Sequence, residues 1–339
     1  MQNSTYEVVR VDPFDDVAFR AWFDAREAGM AAGRIAPPPR AFVEQLVHYQ
    51  TSSQTCTLQP FVAVERDVVV GAGNLELPLR DNRTLAMFDL AVPPERRGRG
   101  VGAALLAYVL DQAREEARTS LLTEVFAPRG TVLADWPGVR FADRHGFTTR
   151  ITEIRRQLRL PVDRERLEAL AAEAAEKASD YQLVAWAGPC PVEYAEQYAY
   201  LKGLIMAEAP TGELDYEPER WDVARLREEE DLAVSQGRSL YTCVALAPDG
   251  TLAGHTQIAA SRHQPEWAFQ WDTLVLRTHR GRRLGLALKV ANLQAVTAAQ
   301  PQVERITTWN AEENGPMIAV NEALGFEIVE LLQERQRDL

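Results

Sequence analysis

The sequence predicts two similar α+β units in one chain, and two observations lead to this expectation. The chain has 339 residues, whereas a globular domain has roughly 150. Residues 88–102 and 271–285 also repeat one another at an offset of 183 residues. At that offset the matched pairs are Asp89 with Asp272, Val92 with Val275, Arg97 with Arg280, Gly98 with Gly281 and Gly102 with Gly285.

Both copies of the repeat have the same neighbours. A hairpin with alternating apolar residues precedes each copy, and an amphipathic helix, a strand and a short helix follow it. The hairpins are predicted at 61–77 and 241–260, the long helices at 103–117 and 286–299, and the strands at 120–126 and 304–310. A duplicated unit therefore accounts for both halves of the chain.

The segment between the copies predicts a connector. Residues 162–179 are charged and alanine-rich and begin after Pro161, as expected of a helix. We therefore expect an N-terminal domain over 1–160, a helical connector over 161–181 and a C-terminal domain over 182–339. Each domain should open with a helix, near 12–29 and 190–209.

Composition excludes several classes of protein. The formal net charge is −12, and nucleic-acid binding generally needs a basic face. No apolar run is long enough for a membrane span, and the first residues do not resemble a signal peptide, so a cytoplasmic location is expected. Cys56, Cys190 and Cys243 lie far apart and are expected to be reduced and buried, and the scattered histidines give no metal site.

The charge is unevenly distributed. Residues 1–160 hold 20 basic and 20 acidic side chains, whereas 161–339 hold 17 and 29. Three acidic residues after the first helix of the second half, Glu208, Glu213 and Asp215, could attract a cationic amine. The alternative is that they are solubilising surface charges.

The repeated segment itself suggests an anion site. In Arg97–Gly102 the glycines allow a sharp turn and expose backbone N–H groups, and the following helix adds the positive end of its dipole. These features suit a pyrophosphate. The segment is neither a Walker loop nor a dinucleotide fingerprint.

The segment from Val92 to Gly102 resembles the acetyl-CoA loop of the GNAT acyltransferase superfamily, whose pattern is [QR]-x-x-G-x-[GA]. The second copy departs from this pattern, because Arg283 stands where the first copy has Gly100. If the alignment is shifted by two residues, Arg282-x-x-Gly285-x-Ala287 satisfies the pattern formally, but Asp89 then no longer aligns with Asp272. Residues 309–326 resemble the fifth strand and following helix of that family. The resemblance implies acetyl-CoA as cofactor, bound by Val92, Arg97, Gly98, Arg99, Gly100, Val101, Gly102, Val275, Arg280, Gly281, Arg282, Arg283, Leu284, Gly285, Asn310 and Asn314.

The resemblance also implies the fold and the assembly. Two GNAT domains are expected, each a mixed, mainly antiparallel sheet flanked by helices, as in tandem acetyltransferases. They would form a pseudo-dimeric pair in a monomer, or the chain would be a homodimer. The first half keeps the intact loop, and the second keeps the asparagines and the acidic segment, which favours the second half for acceptor chemistry.

In this family a small amine attacks the thioester directly, and a carboxylate serves as general base. The resemblance implies Asp89 and Asp272 as candidates, and Glu124 as a weaker one. The tyrosine that often protonates the leaving thiolate is replaced by Ala142 and Asn321. The expected activity is acetyl-CoA-dependent N-acetylation of a small cationic amine. The alternatives are an acyl-CoA-binding sensor without turnover, another acyl donor, or a protein N-terminus as acceptor.

Overall fold

The computed structural model describes residues 6–339, which divide into two compact units that are not consecutive segments of chain. Unit 1 comprises 6–152 together with 212–217 and 330–339. Unit 2 comprises 153–211 and 218–329. The last strand of unit 1 is therefore supplied by the end of the chain.

Both units combine strands and helices. In chain order the strands are β1 (Glu7–Arg10), β2 (Cys56–Glu65), β3 (Val68–Pro78), β4 (Leu85–Ala91), β5 (Ser120–Pro128), β6 (Thr148–Arg159), β7 (Gln182–Ala187), β8 (Arg238–Leu246), β9 (Leu252–Ser261), β10 (Trp267–Val275), β11 (Arg305–Ala311) and β12 (Glu327–Asp338). The helices are α1 (Asp16–Ala31), α2 (Phe42–Gln50), α3 (Val101–Glu115), α4 (Pro137–Arg144), α5 (Arg164–Lys177), α6 (Ala195–Gly203), α7 (Ile205–Glu208), α8 (Val223–Ser235), α9 (Leu284–Ala299) and α10 (Gly315–Leu324).

Unit 1 is built on a mixed sheet with the strand order β1-β2-β3-β4-β5-β12. Only β4 and β5 run parallel, and every other neighbouring pair is antiparallel. Helix α3 connects the two parallel strands, as a crossover requires. It buries Val101, Leu105, Leu106, Val109 and Ala113 in the core of the unit.

Unit 2 repeats this plan with the order β6-β11-β10-β9-β8-β7, in which β10 and β11 are the parallel pair. Residues 153–159 of β6 pair with β11 in antiparallel register. Helix α9 is the crossover, and α5 packs beside it through Leu167, Leu170, Ala171 and Ala174. The α+β class predicted for each half is thus confirmed, with a mainly antiparallel sheet in both units.

Local sequence signals locate most elements well. The first predicted hairpin turns at Arg66 and Asp67, whose φ angles of 50° and 64° are those of a two-residue turn. The predicted helix at 103–117 begins two residues earlier, at Val101. The helix predicted near 190–209 is divided into α6 and α7, with Leu204 between them.

Two expectations from composition can be compared with the structure. All three cysteines are free, and Cys190 and Cys243 are buried, but Cys56 is only half-buried, at the start of β2. Burial raises the pKa of both buried thiols to about 12. Within residues 6–339, no helix is both long and apolar enough to cross a membrane.

Candidate functional site

A cleft opens in unit 1 where its parallel strands separate. The last paired residues of β4 and β5 are Phe88 and Thr123. Asp89 and Glu124 follow them directly, and both line a cleft with a volume of about 490 Å³. Two of the three predicted carboxylates are therefore brought to one place by the divergence of the strands.

The glycine-containing loop forms one wall of this cleft. A short 3-10 turn ends at Arg96, and Gly98 and Gly100 adopt φ angles of 74° and 90° before α3 begins at Val101. Few residues other than glycine adopt such angles. The first N–H groups of α3 have no partner within the helix, so this end carries partial positive charge.

Arg97 holds the loop in place rather than reaching outward. Its Nε donates to the carbonyl oxygen of Val92 at 2.9 Å, and its Nη2 donates to that of Gly29 at 3.2 Å. The predicted cofactor residue Arg97 therefore shapes the loop. Val92, Gly98, Gly100, Val101 and Gly102 all line the cleft.

Other arginines supply the charge at this wall. Arg140 and Arg144, on α4, are exposed and line the cleft, and Arg99 lies on the loop itself. Within the described part of the chain, no hydrogen bond or ion pair joins these three guanidinium groups to another side chain. An unpaired, exposed guanidinium is well suited to a phosphate. Sequence analysis missed Arg140 and Arg144, because the family pattern ends at Gly102.

Asp89 is held by a cation from the first helix. Arg26 donates from Nε to Oδ1 at 2.8 Å and from Nη2 to Oδ2 at 2.7 Å. Burial lowers the pKa of Arg26, but the charge and hydrogen bond of Asp89, together with the nearby Tyr49 and Glu27, more than offset this effect, so the pKa is raised. The ion pair fixes the orientation of the Asp89 carboxylate.

Glu124 has a different environment. It reaches solvent through the cleft, and no ion pair engages it among the described residues. The surrounding protein atoms desolvate its carboxyl group and so raise its pKa. The nearby Arg40 guanidinium lowers the pKa and the Asp89 charge raises it, and the net shift of the Glu124 pKa is upward. A carboxyl group with a raised pKa in a cleft is a common feature of general bases.

Unit 2 repeats the loop and settles its alignment with unit 1. The Nε of Arg280 donates to the carbonyl oxygen of Val275 at 3.0 Å, as Arg97 does to Val92. Arg283 precedes α9 with a φ of 56°, at the position of Gly100. The register that aligns Asp89 with Asp272 is confirmed, and the register shifted by two is wrong.

The second loop is nevertheless engaged differently. Its arginines have partners within unit 2: Arg280 with Glu208, Arg282 with Tyr181, and Arg283 with Glu173. Gly281 lies on the exposed turn, Leu284, the first residue of α9, is buried in the core, and Gly285 follows it in the helix and is half-buried.

Asp272 lies in a bulge. The pairing of β10 with β9 shifts by one residue between Gln270 and Thr273, whereas Asp89 pairs regularly with Asn74. The Nζ of Lys202 contacts Asp272 at 3.2 Å and Glu229 at 2.8 Å. Burial raises the pKa of Asp272, but Lys202 and His255 together lower it by a larger amount, so the net shift is downward. Both aspartates are thus paired with a cation from an early helix, which the sequence did not reveal.

The asparagines of unit 2 bond inside the unit. Asn310 accepts a hydrogen bond from Nδ2 of Asn321, and Oδ1 of Asn321 accepts one from Nζ of Lys289 at 2.7 Å. Burial lowers the pKa of Lys289 to about 7. Asn314 caps α10, where its Oδ1 accepts from the N–H of Met317 at 3.3 Å.

The three acidic residues proposed for the acceptor do not share one environment. Glu208 belongs to unit 2, where its Oε2 accepts from Arg277 and Arg280, each at 2.8 Å. Glu213 and Asp215 belong to unit 1 and are exposed. Glu213 pairs with Arg150 at 3.5 Å, and the N–H of Asp215 donates to Gln336 at 3.2 Å.

The fold and the duplicated loop define an acyltransferase of the tandem type, and comparisons agree. The model of the acetyltransferase (GNAT) family matches residues 22–147 and 202–326. The chain belongs to the GNAT family, with two copies of its domain. No curated protein matches the sequence.

Solved structures include proteins with a similar fold. A tandem GNAT protein from the clavulanic acid biosynthesis pathway, solved without AcCoA, is 30% identical, with 98% of each chain covered and a TM-score of 0.79. A GCN5-related N-acetyltransferase from Sphaerobacter thermophilus is 15% identical over 100% of this chain and 97% of its own, with a TM-score of 0.64. A putative acetyltransferase from Pyrococcus horikoshii is 12% identical over 100% and 91%, with a TM-score of 0.57. The last two show the fold alone.

Proposed function

We propose that this acetyltransferase transfers an acetyl group from acetyl-CoA to the nitrogen of a small primary amine, and that the reaction takes place in unit 1. One observation carries the proposal: the glycine loop, the two unpaired arginines of α4 and Glu124 line one cleft. The loop and the start of α3 suit the pyrophosphate. Arg99, Arg140 and Arg144 would balance the remaining phosphate charge.

The residues of unit 1 also fit the chemistry. Bound acetyl-CoA supplies an activated acetyl thioester. An amine acceptor arrives as an ammonium ion, which the negative charge of Glu124 attracts. Glu124 removes one proton and leaves the nitrogen lone pair free to attack, and the raised pKa of Glu124 makes it a better proton acceptor than an ordinary carboxylate.

Asp89 supports this step as a positioning residue. Arg26 holds both of its oxygens and so keeps Asp89 next to Glu124, where the charge of Asp89 raises the pKa of Glu124. Ala142 lines the cleft where other family members carry tyrosine, so no side chain at that position donates a proton to the departing thiolate.

The acceptor is a small molecule in this proposal. The similar protein from the clavulanic acid pathway takes part in biosynthesis, which supports a metabolite rather than a protein N-terminus. The ammonium group is recognised by Glu124, and the proposal does not require Glu208, Glu213 or Asp215.

The test measures thiol release. Purified protein is incubated with acetyl-CoA and a panel of primary amines, and free CoA is followed with a thiol reagent. We expect release that depends on both the amine and Glu124, together with a product heavier by one acetyl group. Tight binding of acetyl-CoA without release for any amine would favour the second candidate, an acyl-CoA sensor, which Ala142 and the paired Asp89 support.

A further inference from the structure

The arginines around the second loop are already bound to groups of the same unit. Glu208 accepts hydrogen bonds from Arg277 and Arg280, both at 2.8 Å and both through Oε2. Glu173, on α5, contacts Arg283 at 2.6 Å. The hydroxyl of Tyr181 accepts from Arg282 at 2.8 Å.

This pattern contrasts with that of the first loop. There Arg99, Arg140 and Arg144 lack ion-pair partners within the described residues, and Gly100 leaves the start of α3 uncovered. In unit 2, Arg283 takes the place of Gly100, although its φ of 56° costs an ordinary side chain about 1 kcal/mol. Its ion pair with Glu173 joins the loop to α5, which packs along α9.

Glu208 occupies the position of a counter-ion. Only 15% of its side chain is exposed, whereas its partners Arg277 and Arg280 are 70% and 47% exposed. A phosphate that approached these arginines would meet the negative charge of Glu208. It would have to displace a carboxylate that the chain holds in place, so the ligand competes against an intramolecular partner.

We propose that the second loop is a self-filled anion site, in which Glu208 and Glu173 take the place of ligand phosphates and prevent CoA from binding to unit 2. That unit 1 binds CoA rests on the proposed function. That unit 2 does not bind CoA is independent of it. The chain then binds one CoA, and loss of the two carboxylates opens a second site.

Native mass spectrometry counts the CoA molecules bound to each chain and tests the proposal. The variants are E173Q, E208Q and the double variant, with E168Q as the matched control, because Glu168 pairs with Arg164 on the exposed surface of the same helix. We expect one CoA on the wild type and on E168Q, and two on the double variant. The affinity of the second site should rise at least tenfold over the wild type.

The results separate the two proposals. No CoA on the wild type but one on the double variant would defeat the proposed function and support the self-filled site. Two CoA molecules on the wild type would overturn the self-filled site. One CoA on a double variant that melts like the wild type would also overturn it.

A second pair of variants covers the case in which the double variant fails to fold. R283G restores the glycine of the first loop and removes the partner of Glu173, and it should raise second-site affinity without changing Glu208. In E173Q/E208Q, Arg277 should contact a phosphate of the bound CoA. Adding R277A to this double variant should therefore weaken CoA binding at the second site again. If R283G binds as the wild type does, Glu173 has no part in closing the loop.

Discussion

The Nε and Nη2 of Arg26 hold the two carboxylate oxygens of Asp89 at 2.8 and 2.7 Å, while Glu124, the corresponding residue of the neighbouring strand, has no such partner among residues 6–339. The two carboxylates at one cleft therefore have different surroundings, and the proposed reaction gives them different roles: the ion pair holds Asp89 in place, and Glu124 takes up the proton.

Replacement of either carboxylate distinguishes these roles. E124Q should lower kcat by about 10²- to 10⁴-fold, the usual contribution of a general base, with little change in acetyl-CoA affinity. D89N should instead reduce stability by roughly 1 to 3 kcal/mol, because it removes the nearest counter-ion of the buried Arg26 and leaves only the more distant Glu27; the 20% exposure of Asp89 keeps the cost below that of a fully buried pair. Steady-state kinetics and urea denaturation check both, and a folded D89N enzyme with the larger loss of kcat would contradict the assignment.

The pH dependence of the reaction should follow Glu124. Its pKa is raised, so the base is protonated and inactive at acidic pH and becomes active as pH rises through that pKa. We expect kcat/KM to increase along this limb in the wild type. E124Q should lack this rise in kcat/KM, because its residual rate depends only on deprotonation of the amine. If the rise persisted in E124Q, another group would be the base.

The arginines of α4 should bind phosphate through charge. Alanine at Arg140 or Arg144 should raise the KM for acetyl-CoA about fivefold, equivalent to about 1 kcal/mol, with kcat unchanged. The effect should decrease as salt is added, because these groups are exposed. R129A removes the same charge from an exposed position outside the cleft and serves as control; equal effects of R129A and R144A would mean that only net charge matters.

Unit 2 should lose stability in acid because of His255. This ring is fully buried, and burial lowers its pKa to about 4. The unfolded chain takes up a proton near pH 6.5 and the folded chain does not, so stability falls as pH decreases from about 6.5 to about 4, by roughly 3 kcal/mol. Asp272, whose pKa is also lowered, adds its own loss at still lower pH.

Denaturation of H255L at several pH values checks this expectation. The slope of unfolding free energy against pH between about 6.5 and 4 should be shallower than in the wild type. H263Q alters a partly exposed histidine and should keep the wild-type slope. An unchanged slope in H255L would show that His255 is not responsible.

The last strand of unit 1 should be essential for its stability. Arg34 donates to both carboxylate oxygens of Glu330 at 2.7 Å, and the two side chains are 5% and 0% exposed. E330A leaves the guanidinium buried without a partner and should cost roughly 3 to 5 kcal/mol. R34M/E330L removes both charges and should recover most of that loss in urea denaturation. A double variant as unstable as E330A would mean that the ion pair contributes more than charge balance.

The sequence allowed prediction of what depends on short-range pattern. The Arg97 and Arg280 loops, the hairpins and the crossover helices depend on glycine and apolar spacing within some 20 residues, and all appear as expected. The contacts of Asp89 and Asp272 could not be predicted, because Arg26 and Lys202 lie 63 and 70 residues away along the chain. The bulge at Asp272 and the pairing of Glu208 with the second loop also depend on tertiary packing, which leaves no local pattern.

The division of the chain into units also fixes the order in which they can be completed during synthesis. All of unit 2 precedes residue 330, whereas β12, which closes the sheet of unit 1 against β5, is translated after it. Unit 1 begins to emerge from the ribosome before unit 2, yet the edge of β5 stays open until β12 has been synthesised, and an open strand edge invites pairing with other chains. The unit that carries the proposed catalytic cleft is therefore completed after unit 2, and a chain that stops before β12 could complete only unit 2.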